Sequence, residues 1–196
     1  MSGAETREEV LAVSARLFAA RGIPGTTMRA IAAECEIKAA SLYNHFVSKD
    51  EIVAEVMARS SALADGLFRQ VGDADLATAE RIEALMRATL QSFRAHPEAS
   101  RMFFENPGYV ASAPLLRSAR ASAKSIDGLW ERAIGEAADA DLLRPAIEPA
   151  SLWPLLRSLL LAACHVPGRT QPAGDDVVTI LLAGVLRAPP WPHGEP

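Results

Sequence analysis

Ten residues from Ile37 to Phe46, "IKAASLYNHF", gather the side chains of this chain best suited to recognition. Lys38, Ser41, Tyr43, Asn44 and His45 are cations or hydrogen-bond donors of the kind that hold phosphate oxygens and base edges. Ala39 and Ala40 are small enough to let a surface approach the backbone. Leu42 and Phe46, four residues apart, make one narrow apolar stripe, and Ile37 packs in the turn before it. Ala40, Ser41, Asn44 and His45 fall together on the opposite side by i, i+3 and i+4 spacing. The N-terminal end of a helix here also carries a partial positive charge. The chemistry offered is non-covalent recognition of an anionic surface; the plain alternative is an amphipathic helix with a solvated face.

Nothing else in the chain competes as a reactive centre. There is no Gly-x-Ser-x-Gly elbow, no phosphate loop, no His-x-x-x-His and no paired-cysteine metal spacing, so no enzyme, cofactor or metal site is expected. His96 and His165 stand apart at helix ends. Cys35 and Cys164 lie in apolar helical runs and read as small buried hydrophobes. With 196 residues, 49% hydrophobic and 22% charged, the chain is long enough for a sizeable core. Its net charge is -4, and residues 1–60 hold seven Lys/Arg against eight Asp/Glu, so contact with a polyanion must come from a local patch. The opening "MSGAETREEV" is no secretory signal, and the longest apolar run is interrupted by Pro154 and Arg157. A cytoplasmic protein without a membrane segment is expected.

The elements that must position the ten residues are all helices, because no segment alternates as a strand does. A first helix starts at a capping box, Thr6 to Glu9, buries Val10, Val13, Leu17 and Phe18, and stops at Gly22. A short helix follows Thr26-Thr27, from Met28 to about Glu34. A second capping box, Ser48 to Glu51, with Val47 and Ile52 as a hydrophobic staple, opens a long helix to about Gln70. Further helices are expected over about 76–96, 98–105, 113–138, 149–166 and 175–186, with Asn106-Pro107-Gly108 as a turn. This makes about nine helices. Three short helices, the last two joined by a tight turn, and then a long one is the layout of a helix-turn-helix DNA-binding domain.

From Leu17 to Met57 the chain reads "LFAARGIPGTTMRAIAAECEIKAASLYNHFVSKDEIVAEVM". This run resembles the TetR family of bacterial transcriptional regulators. The resemblance implies an all-α chain with a DNA-binding domain over residues 1–50, a ligand-binding and dimerisation domain over 51–188, and a disordered tail over 189–196. It also implies that Thr27 and Lys49 hold phosphates at the flanks. Lys38, Ala39, Ala40 and Ser41 then face the major groove, Tyr43 and His45 grip the backbone, and Asn44 reads a base. Two positions depart from the family pattern. Ala40 replaces a common glycine, and Glu36 replaces the turn glycine that sits at positive φ, at a cost of about 1 kcal/mol.

In the C-terminal part, Met86, Phe93, Phe103, Trp130 and Trp153 are candidates to line a ligand cavity. Arg157, alone in an apolar helix, is a candidate to pair across an interface, to snorkel, or to hold an anion. The wide apolar faces of the last two helices, around Leu156, Leu160, Val178, Leu181 and Val185, suit a homodimer contact. The function expected is a ligand-responsive repressor that binds a palindromic operator as a dimer and is released by a small molecule. The alternative is a ligand-binding helical dimer with weak or lost DNA binding. The loop "LLRPAIEP" with the final helix pair resembles regulators of lipid or steroid breakdown, which implies an acyl-CoA or other lipid-like effector.

Overall fold

The computed structural model describes residues 3–164 and 173–187, apart from the side chains of residues 3–5. His165, the end of the helix expected to reach residue 166, and the tail 189–196 lie outside the described residues. Among these, ten α-helices run in order: α1 (Gly3–Arg21), α2 (Met28–Glu34), α3 (Ala39–His45), α4 (Lys49–Asp73) and α5 (Thr78–Ala95), then α6 (Pro97–Glu105), α7 (Pro107–Ser112), α8 (Arg117–Asp139), α9 (Pro149–Ala163) and α10 (Gly174–Val185). No helix among them is long and apolar enough to cross a membrane. The chain forms two compact units. One holds the described residues up to Leu63 together with His96–Ala123; the other holds Ala64–Ala95 and the described residues from Lys124 onward.

The first unit is built around one apolar cluster. Val10, Val13, Leu17 and Phe18 of α1 meet Ile31 and Ala32 of α2, Leu42 of α3, Phe46, and Ile52, Val53, Val56 and Met57 of α4. Ala99, Met102, Val110, Leu116 and Ala119, from α6 through the start of α8, complete it. The helix ends follow from local chemistry. Gly22 at φ 77 donates its N–H to the Phe18 carbonyl, the single bond of an αL stop. Gly25 is required by space, since a Cβ there would come within 2.5 Å of the Arg21 carbonyl oxygen. Thr27 caps α2, its Oγ1 accepting from the Ala30 N–H at 3.2 Å.

Three local expectations are corrected. The first helix begins at Gly3, so Thr6 lies inside it rather than at its cap; Ala4 and Glu5 are good helix formers and extend it. The Ser48–Glu51 box forms in altered shape. Ser48 Oγ accepts from the Glu51 N–H at 3.2 Å, while the Glu51 carboxylate accepts from the Val47 N–H at 2.6 Å. Val47 is 82% exposed and Ile52 is fully buried, so the staple does not form. The turn read at Asn106-Pro107-Gly108 begins α7. Proline's fixed φ suits the first helical position, and burial of Val110 holds the short helix in place.

In the second unit α5 buries Ile82, Leu85, Met86, Leu90 and Phe93, and packs against α9 and α10. Trp130 of α8 is fully buried and stacks on Trp153 of α9, ring centroids 4.6 Å apart and planes 12° from parallel. The Trp153 Nε1–H donates to an Asp127 carboxylate oxygen at 2.6 Å. The chain leaves α8 through Asp141 at φ 53, where Asp141 and Leu142 donate back to Ala138 and Ala137. The following loop pairs with the end of α10 through an isolated bridge between Leu143 and Leu186.

Candidate nucleic-acid interface

The turn between α2 and α3 sets the orientation of the recognition residues. Glu36 has φ 55; its N–H donates to the Ala33 carbonyl at 3.1 Å, and the Ile37 N–H to Ala32 at 3.0 Å. These two bonds make a complete Schellman stop with a glutamate where glycine is favoured. The Glu36 side chain is exposed. Ile37 packs against the core, Lys38 caps α3 with extended backbone at φ −68, and the helix runs about two turns beyond the cap before Phe46 leaves it.

Burial of Leu42 and Phe46 fixes which face of α3 is free. Lys38, Ala39, Ala40, Tyr43 and Asn44 are exposed, Tyr43 to 53%, while Ser41 and His45 are half-buried. Thr27 is exposed at the head of α2. Ala39, Ala40, Tyr43 and Asn44 thus lie within one exposed face of α3 by i, i+3 and i+4 spacing. Lys49 differs from its expectation as a phosphate holder. Its Nζ donates to the Ile23 carbonyl at 2.7 Å and to the Thr26 carbonyl at 3.0 Å, tying the α1–α2 loop to the start of α4. Two of its three donors are engaged, so its first role is positional.

Charge is arranged more selectively than the neutral count suggests. Arg7 pairs with Glu55; Arg59 pairs with Glu8 at 2.7 Å and with Glu55 at 3.0 Å. Arg7 also lies over the Phe46 ring at 4.3 Å, joining α1 and α4 behind the recognition helix. Asp50 accepts from the Tyr109 hydroxyl at 2.7 Å. Burial and the neighbouring Asp50 charge push the Tyr109 phenol well above its ordinary range. Arg29 and Lys38 are exposed and form no ion pair among the described residues. Cys35 caps the end of α2 as a buried free thiol, and burial raises its pKa.

The residues expected to line a ligand cavity do not form one set. Phe103 belongs to the first unit, against its core and edge-on to Phe104 at 5.2 Å. Met86, Phe93 and Trp130 are buried in the second unit's core. Trp153 and Arg157 do line a cavity of about 430 Å³ between α8 and α9, with Asp127 and Glu131 on its other wall. The Arg157 guanidinium lies 5.9 Å from the Trp153 ring centre.

The residues expected at a dimer contact are largely unavailable for one. Leu156, Leu160, Val178 and Val185 are buried within the second unit itself, and Leu181 is half-buried. The outward apolar positions are Leu155 and Leu159 on α9, at 60% and 52%, and Ile180 on α10, at 69%.

An exposed donor-rich helix held by a tight turn on a second short helix defines a helix-turn-helix DNA-binding protein. Residues 10–56 match the family profile described as bacterial regulatory proteins, tetR family. Over that stretch the chain is similar to the TetR family of regulators. The HTH-type transcriptional repressor KstR2 of Mycobacterium tuberculosis is 25% identical over 186 residues, covering 92% of this chain and 93% of the relative. A structure of the ketosteroid transcriptional regulator KstR2 of Mycobacterium tuberculosis superposes with a TM-score of 0.80 over 93% of this chain and 95% of that one, at 24% identity. The crystal structure of AibR in complex with isovaleryl coenzyme A and operator DNA has a TM-score of 0.71, 20% identity, and covers 91% and 96% of the two chains.

Proposed function

We propose that this regulator is a repressor that binds a palindromic operator as a homodimer and leaves it when a small molecule occupies its C-terminal helices. One observation carries the DNA part: α3 buries only Leu42 and presents Lys38, Ala39, Ala40, Tyr43 and Asn44 outward from a rigid turn. Such a face enters a major groove, with Asn44 placed to bond an adenine edge and Tyr43 and His45 to hold phosphates. Two-fold symmetry would set the two recognition helices about 34–36 Å apart, one turn of DNA. The exposed Leu155, Leu159 and Ile180 support a dimer through α9 and α10, in place of the inward residues.

The effector we favour is an acyl-thioester or similar lipid-like molecule. Support comes from the loop "LLRPAIEP", from likeness to KstR2, and from the AibR complex with isovaleryl coenzyme A. The effector must prefer one conformation of the dimer in order to shift it off DNA. We read the chain as a regulator and not an enzyme, acting in the cytoplasm where its operator lies. Tyr43→Ala and His45→Ala each test the assignment in a gel shift against DNA upstream of the gene. Affinity should fall about fivefold to tenfold, the worth of one hydrogen bond to phosphate. Unchanged operator affinity in both would remove α3 from the contact.

A further inference from the structure

In the second unit, α5 and the start of α10 enclose a groove of about 590 Å³, a volume suited to a small organic ligand. Arg87, Gln91 and Arg94 line it from α5 at i, i+4 and i+7, so they stand on one face of that helix. Leu90 and Val178 give it an apolar floor. Gly174 opens the α10 side: a Cβ there would come within 3.0 Å of an Arg94 Nη and 3.4 Å of a Leu90 methyl. Asp175, in the first turn of α10, pairs with the Arg87 guanidinium across the groove mouth. Arg87 is also held from its own helix by Glu83 at 2.8 Å.

We infer that this groove is the effector site and that it selects an anion with an apolar body, its negative group displacing the Asp175 carboxylate from Arg87. The inference rests on the effector part of the reading above and names the chemistry that part requires. The Asp175 carboxylate already takes one hydrogen bond from Arg87 Nη1 while Nε and Nη2 face Glu83, so Nη1 is reachable from the α10 side by a carboxylate or phosphate oxygen. Both side chains of this pair are largely exposed, and an exposed pair adds little to stability. Exchanging one carboxylate for a ligand's phosphate or carboxylate is therefore nearly free, while removing the ligand's own apolar surface from water inside the groove supplies a net gain, Leu90 and Val178 being already buried beneath it. A neutral ligand would leave the Arg87–Asp175 pair shut across the mouth.

The test is titration calorimetry on the full chain with three probes: isovaleryl coenzyme A, free isovalerate, and the uncharged ethyl ester. The first carries phosphates, the second a carboxylate, and the third neither, so the arms identify the anion recognised. At least one anionic probe should bind and the ester should not. For the binding probe, Arg87→Gln should weaken affinity about tenfold. Asp175→Asn should strengthen it about twofold to fivefold, because the internal competitor is gone. A purely structural ion pair would move both variants in the same direction. The inference is overturned by equal binding of the ester, by same-sign changes in the two variants, or by no anionic binding at millimolar concentration. Operator binding measured without ligand on the same samples reports on the DNA reading alone, so the two failures stay separate.

Discussion

Replacing Glu36 with glycine separates two physical effects at one residue. Glu36 sits at φ 55, the left-handed region that costs a residue with a Cβ about 1 kcal/mol relative to glycine. Its two Schellman hydrogen bonds use backbone atoms only, so they survive the change. Glu36→Gly should therefore raise the unfolding free energy by about 1 kcal/mol, or about 2–4 °C in Tm for a chain of this length. The lost carboxylate also acts on DNA. At about 10 Å from a phosphate in water, repulsion is about 0.4 kcal/mol before screening and about a third of that at physiological salt. Operator affinity should then rise by no more than about twofold, and less as salt increases. Glu36→Gln removes the charge and keeps the Cβ, so it should reproduce the affinity change without the stability gain. Urea denaturation with an unchanged m-value and fluorescence anisotropy at two salt concentrations read the two quantities. If Glu36→Gly is no more stable than the parent chain, the strain argument fails; if both variants lose operator affinity, Glu36 takes part in recognition.

Tyr109→Phe removes the hydroxyl that Asp50 accepts, which should lower stability by about 1 kcal/mol without changing the helix content seen by circular dichroism. Because the folded phenol titrates above its unfolded value of about 10, the Tyr109 contribution is intact below pH 10 and lost as pH rises through the folded value. The alkaline fall in Tm above pH 10 should be shallower in Tyr109→Phe, and an identical pH profile would contradict the assignment. Leu159→Glu, on the exposed α9 face, should yield a folded monomer by light scattering, whereas Leu156→Ala should keep the dimer and lose about 2–5 kcal/mol of stability by opening a core cavity. A monomeric Leu156→Ala with unchanged stability would reverse the two faces.

The short-range features were legible because their causes lie within a few residues. The α2–turn–α3 pattern and the positive φ at Glu36 follow from apolar spacing and from one backbone stop, and the structure shows both. Local readings failed where two local rules competed. Thr6 to Glu9 has the pattern of a cap but continues a helix from Gly3, and Pro107 opens a helix where Asn and Gly beside it signal a turn. Signals for Lys49 and Tyr109 existed only as residue types, since their partners Ile23, Thr26 and Asp50 lie 23 to 59 residues away.

The amino-acid sequence by itself determined an all-α chain with a recognition helix whose donors stand opposite Leu42 and Phe46. A period of 3.6 residues and one narrow apolar stripe leave that helix a single way to dock. Tertiary structure decided the rest. On α9 and α10 the apolar residues cover most of the circumference, so periodicity does not say which sector meets the core and which meets a second copy; packing against α5 turned Leu156, Leu160, Val178 and Val185 inward and left Leu155, Leu159 and Ile180 outside. Packing likewise put Phe103 in a different unit from Trp130 and Trp153, and brought Asp175 across 88 residues to Arg87.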